Sequence, residues 1–273
     1  MIFGKRSSSS PSSSSPSSKF LGFLSGLKDG RSVFQLQLKD RVSAGKVLAM
    51  VLKTVIKRNK GENVLPLVVL GIPRGGVIVA DVVAEKLNAD YFDIIIPRKL
   101  RAPDNKENAI GAISQDGSTV YLDEFMISSL KVPADYIAKE KAEVLKEIER
   151  RIALYRTPQG AVAPSNEGEE YPITADKTIV LLIDDGIATG ATVIAAARWL
   201  RAKYPKPAQL IIAAPVASKQ AIELIKKEGK NVADMVETVT TPSNFISVNQ
   251  FYKDFDQVTD DKVIEILRKR MEK

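Results

Sequence analysis

The chain has 273 residues, 44% of them hydrophobic, which is enough to bury a full core as one large domain. It contains no cysteine and no histidine, and this excludes Cys/His zinc sites, cysteine nucleophiles, Ser-His-Asp triads and disulfide scaffolds. Acid–base chemistry must therefore use carboxylates, lysine, tyrosine, water or the substrate. The formal charge of +7 suits nucleic acid or an anionic small substrate equally. The sequence has no stripe of Lys/Arg interleaved with aromatic residues, and this disfavours nucleic acid.

The amino-terminal segment differs in composition from the rest of the chain. Residues 1–19 are mostly Ser and Pro, and we expect a disordered tail because such a segment cannot bury enough apolar surface to fold. Residues 20–273 are expected to form a single domain. Phe20 to Leu27 is apolar but far too short to span a membrane, and it lacks the regions of a secretory signal. We therefore expect no membrane partner and a cytoplasmic location.

From Ser43 onward, helical and strand patterns alternate along the chain. Ser43 is predicted to be the N-cap of a first helix, because apolar residues from Val47 to Ile56 recur at helical spacing. The elements predicted after it are, in chain order, strand Leu67 to Gly71, helix Val77 to Leu87, strand Phe92 to Ile96, a hairpin of Ala109 to Ile113 and Thr119 to Leu122, helix Pro133 to Tyr155, a loop from Thr157 to Ala175, strand Ile179 to Ile183, helix Gly190 to Lys203, strand Leu210 to Ala214, helix Lys219 to Lys227, strand Met235 to Val239 and helix Val258 to Arg270. Strands separated by helices predict an α/β fold with a central parallel sheet flanked by helices, and the hairpin is a candidate for a small hood or flap.

The most informative segment runs from Thr178 to Thr192 and reads TIVLLIDDGIATGAT. Its apolar run has no polar alternation, which is typical of a strand buried on both faces of a parallel sheet. The run ends in Asp184 and Asp185, and a turn containing Gly and Thr leads into an Ala-rich helix. Such strands carry their chemistry at the carboxyl end, where the next helix presents unpaired N–H groups. This arrangement predicts a ligand that has both hydroxyl groups and a phosphate.

The whole string resembles the phosphoribosyl-diphosphate (PRPP) binding motif of type I phosphoribosyltransferases. The resemblance implies that Asp184 and Asp185 hold the ribose hydroxyls, directly or through Mg²⁺ and its waters. It implies a 5′-phosphate on the loop and helix N-terminus formed by Gly186, Ile187, Ala188, Thr189, Gly190, Ala191 and Thr192. The alternative is a capped strand–turn–helix whose acids are merely solvated.

Two further strand ends carry groups that suit an anion. The turn Pro73, Arg74, Gly75 and Gly76 lets the backbone approach closely, and in the family the corresponding loop cradles pyrophosphate. Arg98 and Lys99 follow the next strand, and their charges would offset that of departing pyrophosphate. The alternatives are an ordinary turn with an exposed arginine and a solvated basic pair.

The resemblance covers residues 34 to 270 and looks like the predicted phosphoribosyltransferases of archaea and bacteria whose substrate is generally unassigned. Besides the segments above, the residues that carry it are Lys39-Asp40-Arg41, Ala44-Gly45, Glu107 to Ala112, Tyr155-Arg156, Ala214-Pro215-Val216, Thr241-Pro242 and Phe245. Glu107 and Asn108 are candidates for a mobile flap over the site, with a charge at a helix N-terminus as the alternative.

The acceptor pocket is the least defined part of the site. In purine-salvage relatives an aromatic residue near the carboxyl end stacks on the base, and Phe245, then Tyr252, are the candidates, with core packing as the alternative. The hypoxanthine–guanine enzymes carry a carboxylate where this chain has Ala188, and the adenine-specific enzymes have alanine there. This departure disfavours a 6-oxopurine acceptor without establishing another.

The resemblance thus implies a Mg²⁺-dependent transferase that moves a phosphoribosyl group from PRPP to a nitrogen acceptor, a nucleobase or related amine, and releases pyrophosphate. The alternative is a regulatory protein that binds PRPP or a nucleotide without turnover. A nucleic-acid-associated module is a third option, and it predicts binding that weakens steeply with salt. The oligomeric state is open, and a homo-oligomer is compatible with this function.

Overall fold

The computed structural model describes residues 37–60, 64–103, 108–156, 171–204 and 206–272, with no side-chain description for 57–60. The predicted tail at residues 1–19, the apolar segment Phe20 to Leu27, Glu107 and most of the loop that begins at Thr157 lie outside the described residues. No helix within these ranges is long and apolar enough to cross a membrane.

Helices and strands alternate as the sequence predicts. The helices are α1 (Arg41–Lys60), α2 (Gly75–Leu87), α3 (Glu124–Ser129), α4 (Ala134–Tyr155), α5 (Ala191–Lys203), α6 (Lys219–Glu228) and α7 (Asp260–Met271). The strands are β1 (Leu67–Gly71), β2 (Tyr91–Ile94), β3 (Arg98–Arg101), β4 (Ala109–Ile113), β5 (Val120–Leu122), β6 (Ile179–Ile183), β7 (Gln209–Val216) and β8 (Met235–Thr240). Short 3₁₀ turns cover Gly229–Asn231 and Val248–Phe251.

In the described part of the chain, five parallel strands form the central sheet in the order β2-β1-β6-β7-β8. Every residue of β1 and β6 is buried, because helices cover both faces. Val68, Leu70 and Leu182 point into a core shared with α5 and α6, whereas α1 and α2 cover the opposite face. The predicted α/β class and parallel sheet are confirmed.

The order of the central strands reverses between β1 and β6. The chain leaves β1 toward β2 on one side, and later strands extend from β6 on the other side. Ligands of open parallel sheets bind at such a switch point, outside the carboxyl ends of the strands. The final residues of the two strands, Gly71 and Ile183, are register partners. The segments that follow them therefore emerge side by side.

A small antiparallel sheet, β3-β4-β5 in the described residues, lies beside the central one. The predicted hairpin β4–β5 is present, and Gly117 turns it with φ of 76°. Its third strand, β3, was not predicted because three of its four residues are basic. Only Leu100 of this strand is fully buried, in a core that α4 and α7 share through Ile148 and Val263.

The first helix begins three residues earlier than predicted, at Arg41. Its cap is Asp40, whose Oδ1 accepts the N–H of Ser43 at 2.7 Å, while Ser43 Oγ accepts the N–H of Asp40 at 3.0 Å. This reciprocal pair is a capping box, and the hydrogen bond from the Ser43 N–H lowers the pKa of Asp40. The prediction of Ser43 as the N-cap was wrong because Ser43 is the reciprocating residue inside the first turn.

The β4–β5 turn is joined to α5 by a partly buried hydrogen bond, which gives a stability prediction. Trp199 Nε1 donates to Asp116 Oδ2 at 2.7 Å, and the indole is 2% exposed. We expect Asp116→Ala to lower the free energy of unfolding by about 1–3 kcal/mol, because the indole N–H is left buried without an acceptor. Urea denaturation measures this, with Glu143→Ala on the exposed face of α4 as the control. Equal stability of the two variants would contradict the role of this bond.

Candidate functional site

Asp184 and Asp185 stand at the carboxyl end of β6, both partly buried. The Asp184 N–H donates to the carbonyl of Ala213 at 3.2 Å, so the first acid still belongs to the sheet. Asp184 Oδ1 in turn accepts the N–H of Asp185 at 2.8 Å. Burial, and then the neighbouring charge of Asp185, raises the pKa of Asp184 well above its ordinary value. The two predicted acids are therefore adjacent, but their environments differ.

The glycine turn after β1 lies directly against these acids. A Cβ atom on Gly76 would be 2.8 Å from Asp184 Cα, and one on Gly75 would be 1.8 Å from Asp185 Oδ2. Only glycine allows this approach, which is the reason for two consecutive glycines at the turn. The Pro73–Arg74 peptide bond is cis, and an Arg74 guanidinium nitrogen lies 3.8 Å from Asp260 Oδ1. The two segments that the sequence singled out thus form one site.

The loop after the acids is anchored through Ile187. This side chain is 2% exposed, its N–H donates to the carbonyl of Val216 at 2.9 Å, and its carbonyl accepts the N–H of Ser218 at 2.9 Å. Ser218 Oγ also donates to the carbonyl of Ala188 at 2.6 Å. The prediction that the Ile187 N–H meets the phosphate was wrong, because this N–H already has an acceptor in β7. Ile187 instead fixes the position of the loop.

The rest of the loop retains free donors. Among the described residues, no acceptor pairs with the backbone N–H groups of residues 188 to 192, where α5 begins. Gly190 has φ of 84°, a left-handed conformation that bends the chain into the helix. Gly186 lies against Val248, since a Cβ there would be 2.4 Å from Val248 Cγ1. Ala188, Thr189, Gly190, Ala191 and Thr192 therefore offer the unpaired N–H groups that suit an anion at a helix N-terminus, and their phosphate role, like that of Gly186, stays a prediction.

Arg98 and Lys99 are neighbours in β3, so their side chains point to opposite faces of the small sheet. Lys99 is exposed, and its charge offsets a small part of the rise that burial and Asp185 cause in the pKa of Asp184. Arg98 is partly buried. Burial, then the charge of Arg151, and to a lesser extent that of Arg74, lowers the pKa of Arg98. The predicted basic pair is therefore divided between the acids and an arginine cluster near the glycine turn.

The two aromatic candidates for base stacking differ in exposure. Tyr252 is 4% exposed, its hydroxyl donates to the carbonyl of Asp185 at 2.6 Å, and its ring packs on Phe255 at 4.9 Å between centroids. The prediction of Tyr252 as a stacking residue was wrong, because its ring is enclosed behind the acids. Phe245 is partly buried and packs on Phe251 at 5.2 Å, and its role in base binding stays a prediction.

Arg41 is a site residue to which no sequence motif assigned a role. Its Nε donates to Asp185 Oδ2 at 2.7 Å, with the two side chains 10% and 15% exposed. Its guanidinium carbon lies 3.8 Å from the centre of the Phe255 ring, and a terminal nitrogen donates to the carbonyl of Asp256 at 2.9 Å. Arg41 was visible only as part of the resembling string Lys39-Asp40-Arg41. No local pattern connects it with an acid 144 positions away.

The acids fit a metal site that is completed by substrate and water better than a site built of protein ligands alone. Among the described residues, no group of three or more His, Cys, Asp or Glu side chains could enclose a metal ion. Mg²⁺ in phosphate-handling proteins is usually held by one or two carboxylates, with substrate oxygens and water completing the shell. The pair of Asp184 and Asp185 offers at most one or two carboxylates, which suits a Mg²⁺ ion that arrives with its anionic ligand and not an all-protein cage.

The burial of Asp184 predicts a pH-dependent gain in stability on substitution. Because the ionised form is disfavoured in the folded protein, it costs folding free energy above the raised pKa, and the cost vanishes as pH falls below the unfolded-state pKa. We expect Asp184→Asn to melt at a higher temperature than the wild type near pH 8, with the difference closing toward about pH 4. Thermal melts without added metal measure this, with the exposed Asp135→Asn as the control. A difference that does not vary with pH would contradict the assignment.

Known proteins resemble the chain over most of its length. Residues 40–254 match the family described as "Phosphoribosyl transferase domain". Two Mycobacterium tuberculosis proteins, each named "Putative phosphoribosyl transferase", are 34% identical over 228 residues, 84% of this chain, which spans about half of their length (46%). The crystal structure of TT1426 from Thermus thermophilus superposes with a TM-score of 0.61 at 33% identity, over 85% of this chain and 98% of that one. The chain belongs to the phosphoribosyl transferase domain family.

Proposed function

We propose that the chain transfers the phosphoribosyl group of PRPP to a nitrogen acceptor, in the presence of Mg²⁺, and releases pyrophosphate. The observation that carries this proposal is the contact of Gly75 and Gly76 with the paired acids at the switch point. One sugar diphosphate can touch the acids with its hydroxyls and the glycine turn with its diphosphate. Within this proposal the chain acts in nucleotide metabolism in the cytoplasm.

Each part of PRPP has a matching part of the site. The N–H groups of residues 188 to 192 suit the 5′-phosphate, since they have no acceptor among the described residues. Asp184 and Asp185 suit the ribose hydroxyls, which donate hydrogen bonds to carboxylates. The turn from Pro73 to Gly76, with Arg74, suits the pyrophosphate, and Lys99 adds a positive charge whose field reaches Asp184.

The reaction requires orientation more than covalent chemistry. The bond between ribose C1 and the diphosphate oxygen breaks, its electron pair leaves with pyrophosphate, and the acceptor nitrogen donates its lone pair to C1 and loses a proton. The transition state resembles an oxocarbenium ion, so the protein must hold both reactants and offset the charge that collects on pyrophosphate. Bound Mg²⁺ would supply part of that neutralisation. Arg74, Arg98 and Lys99 supply positive charge from the chain itself.

A pyrophosphate-release screen tests the proposal and separates it from the regulatory alternative. Wild-type protein with Mg²⁺, PRPP and a panel of nucleobases and amines should release pyrophosphate in a one-to-one ratio with a ribosylated product. Asp184→Asn/Asp185→Asn should lose this activity while remaining folded, and Asp135→Asn/Glu143→Gln on α4 should retain it. Turnover by Asp184→Asn/Asp185→Asn would contradict the site assignment. Tight PRPP binding without turnover across the whole panel would favour a regulatory protein.

Gly75 offers a second test that needs no acceptor. Gly75→Ala places a Cβ 1.8 Å from Asp185 Oδ2 and 2.8 Å from Arg41 Nε, so the acid must move. We expect its PRPP affinity to fall about tenfold or more, equivalent to at least ~1.4 kcal/mol. Calorimetric titration measures the affinity. The control is Gly229→Ala, where φ is 65° and no atom lies within 4 Å, so it should lower stability and leave binding unchanged. Equal affinities in both variants would contradict the shared site.

A further inference from the structure

Asp185 is restrained in a way that Asp184 is not. Its Oδ2 accepts the Arg41 Nε–H at 2.7 Å, and its carbonyl accepts the Tyr252 hydroxyl at 2.6 Å. Burial raises the pKa of Tyr252, so that hydroxyl remains a donor at neutral pH. In the described part of the chain, no cation lies within ion-pair distance of Asp184. The two neighbouring acids are therefore unequal before any ligand binds.

Arg41 is itself held in one orientation. The guanidinium carbon lies 3.8 Å from the centre of the Phe255 ring, and a terminal nitrogen donates to the Asp256 carbonyl at 2.9 Å. Phe255 in turn packs on Tyr252, so one short segment supports both groups that contact Asp185. A planar guanidinium can stack on a ring and donate from two nitrogens at once, and an ammonium group cannot. The arrangement therefore requires arginine.

This contact limits what Asp185 can do. The ion pair occupies one acceptor position of Oδ2 and offsets the charge of the carboxylate, so that Oδ1 is the less encumbered oxygen for a further partner. Mg²⁺ requires near-octahedral oxygen ligands and gives up its water reluctantly, and a carboxylate paired with a guanidinium is a poor ligand for it. A sugar hydroxyl needs a single oriented acceptor, which Oδ1 provides.

We propose that Arg41 is a positioning residue that withholds Asp185 from the metal and directs its free oxygen to a ribose hydroxyl, leaving Asp184 as the carboxylate that faces the metal. This inference rests on the proposed function and assigns a different role to each of its two acids. A pair with a purely structural role would affect stability when removed, but it would not change which cation or sugar the acids bind.

The experiment compares Arg41→Gln with Arg201→Gln. Arg201 forms a comparable, largely buried ion pair with Asp234 at 2.6 Å, with side chains 14% and 27% exposed. It lies in the last turn of α5, at the opposite end of that helix from the loop of residues 186 to 192.

The first measurement is the Mn²⁺ affinity of the ligand-free protein, read by electron paramagnetic resonance. We expect Arg41→Gln to bind Mn²⁺ about tenfold more tightly than the wild type, because Asp185 is freed beside Asp184. The second is the affinity for PRPP with saturating Mg²⁺, which should fall about tenfold. Arg201→Gln should change neither.

Arg41→Lys and Phe255→Leu keep the test informative if Arg41→Gln does not fold. Arg41→Lys keeps the charge but loses the stack, and Phe255→Leu keeps the arginine but removes the ring beneath it. Both should shift the two affinities in the same directions by smaller amounts. The inference is overturned if either affinity is unchanged in the folded Arg41 variants, or if Arg201→Gln shifts them equally. Failure of the proposed function would look different, because the wild-type protein itself would then not bind PRPP.

Discussion

The site depends on one backbone contact, the approach of the glycine turn after β1 to the acids after β6. Gly71 and Ile183 are register partners, so the two chains leave the sheet at the same level. Any side chain at Gly75 or Gly76 would overlap the acids or their backbone. Because β1 and β6 are parallel, both end at the same edge of the sheet, and the reversal of strand order leaves a crevice there. The two glycines let the turn after β1 approach the acids after β6. Within the proposed function, one edge of the sheet can thus contact both the hydroxyls and the diphosphate of one ligand.

Elements at the periphery make this edge rigid on the acidic side. Ile187 joins its loop to Val216 in β7 and to Ser218, the N-cap of α6, through its two backbone hydrogen bonds, and the amides that follow it have no acceptor in the described residues at the start of α5. The Tyr252 hydroxyl donates to the backbone carbonyl of Asp185, and Arg41 donates to the carboxylate of Asp185. Precise orientation is what a reaction with an oxocarbenium-like transition state needs from a protein. Within the proposed function, these residues would determine where the contacts of the ligand lie.

The sequence predicted the parts of this arrangement whose cause is local. The unbroken apolar runs of β1 and β6, the acids at a strand end and the paired glycines are all visible within a few residues. What it missed depends on distant partners. Arg41 meets Asp185 across 144 positions, and the burial of Tyr252 follows from its packing on Phe255. The strand β3 was missed for a related reason, because its basic residues conceal the single buried Leu100 that joins it to the core.

The division of Arg98 from Lys99 shows that two cations adjacent in the sequence need not act as one unit in the fold. Their adjacency suggested one basic unit, but the alternation of side chains along a strand separates them. Lys99 acts on Asp184, while Arg98 shares its surroundings with Arg151 and Arg74. Three arginines this close repel one another, as the lowered pKa of Arg98 reflects after the effect of burial, and Glu147 and Asp260 offset only part of the charge. A polyanion such as the pyrophosphate end of PRPP would relieve that repulsion, so within the proposed function this cluster would favour the diphosphate at the glycine turn.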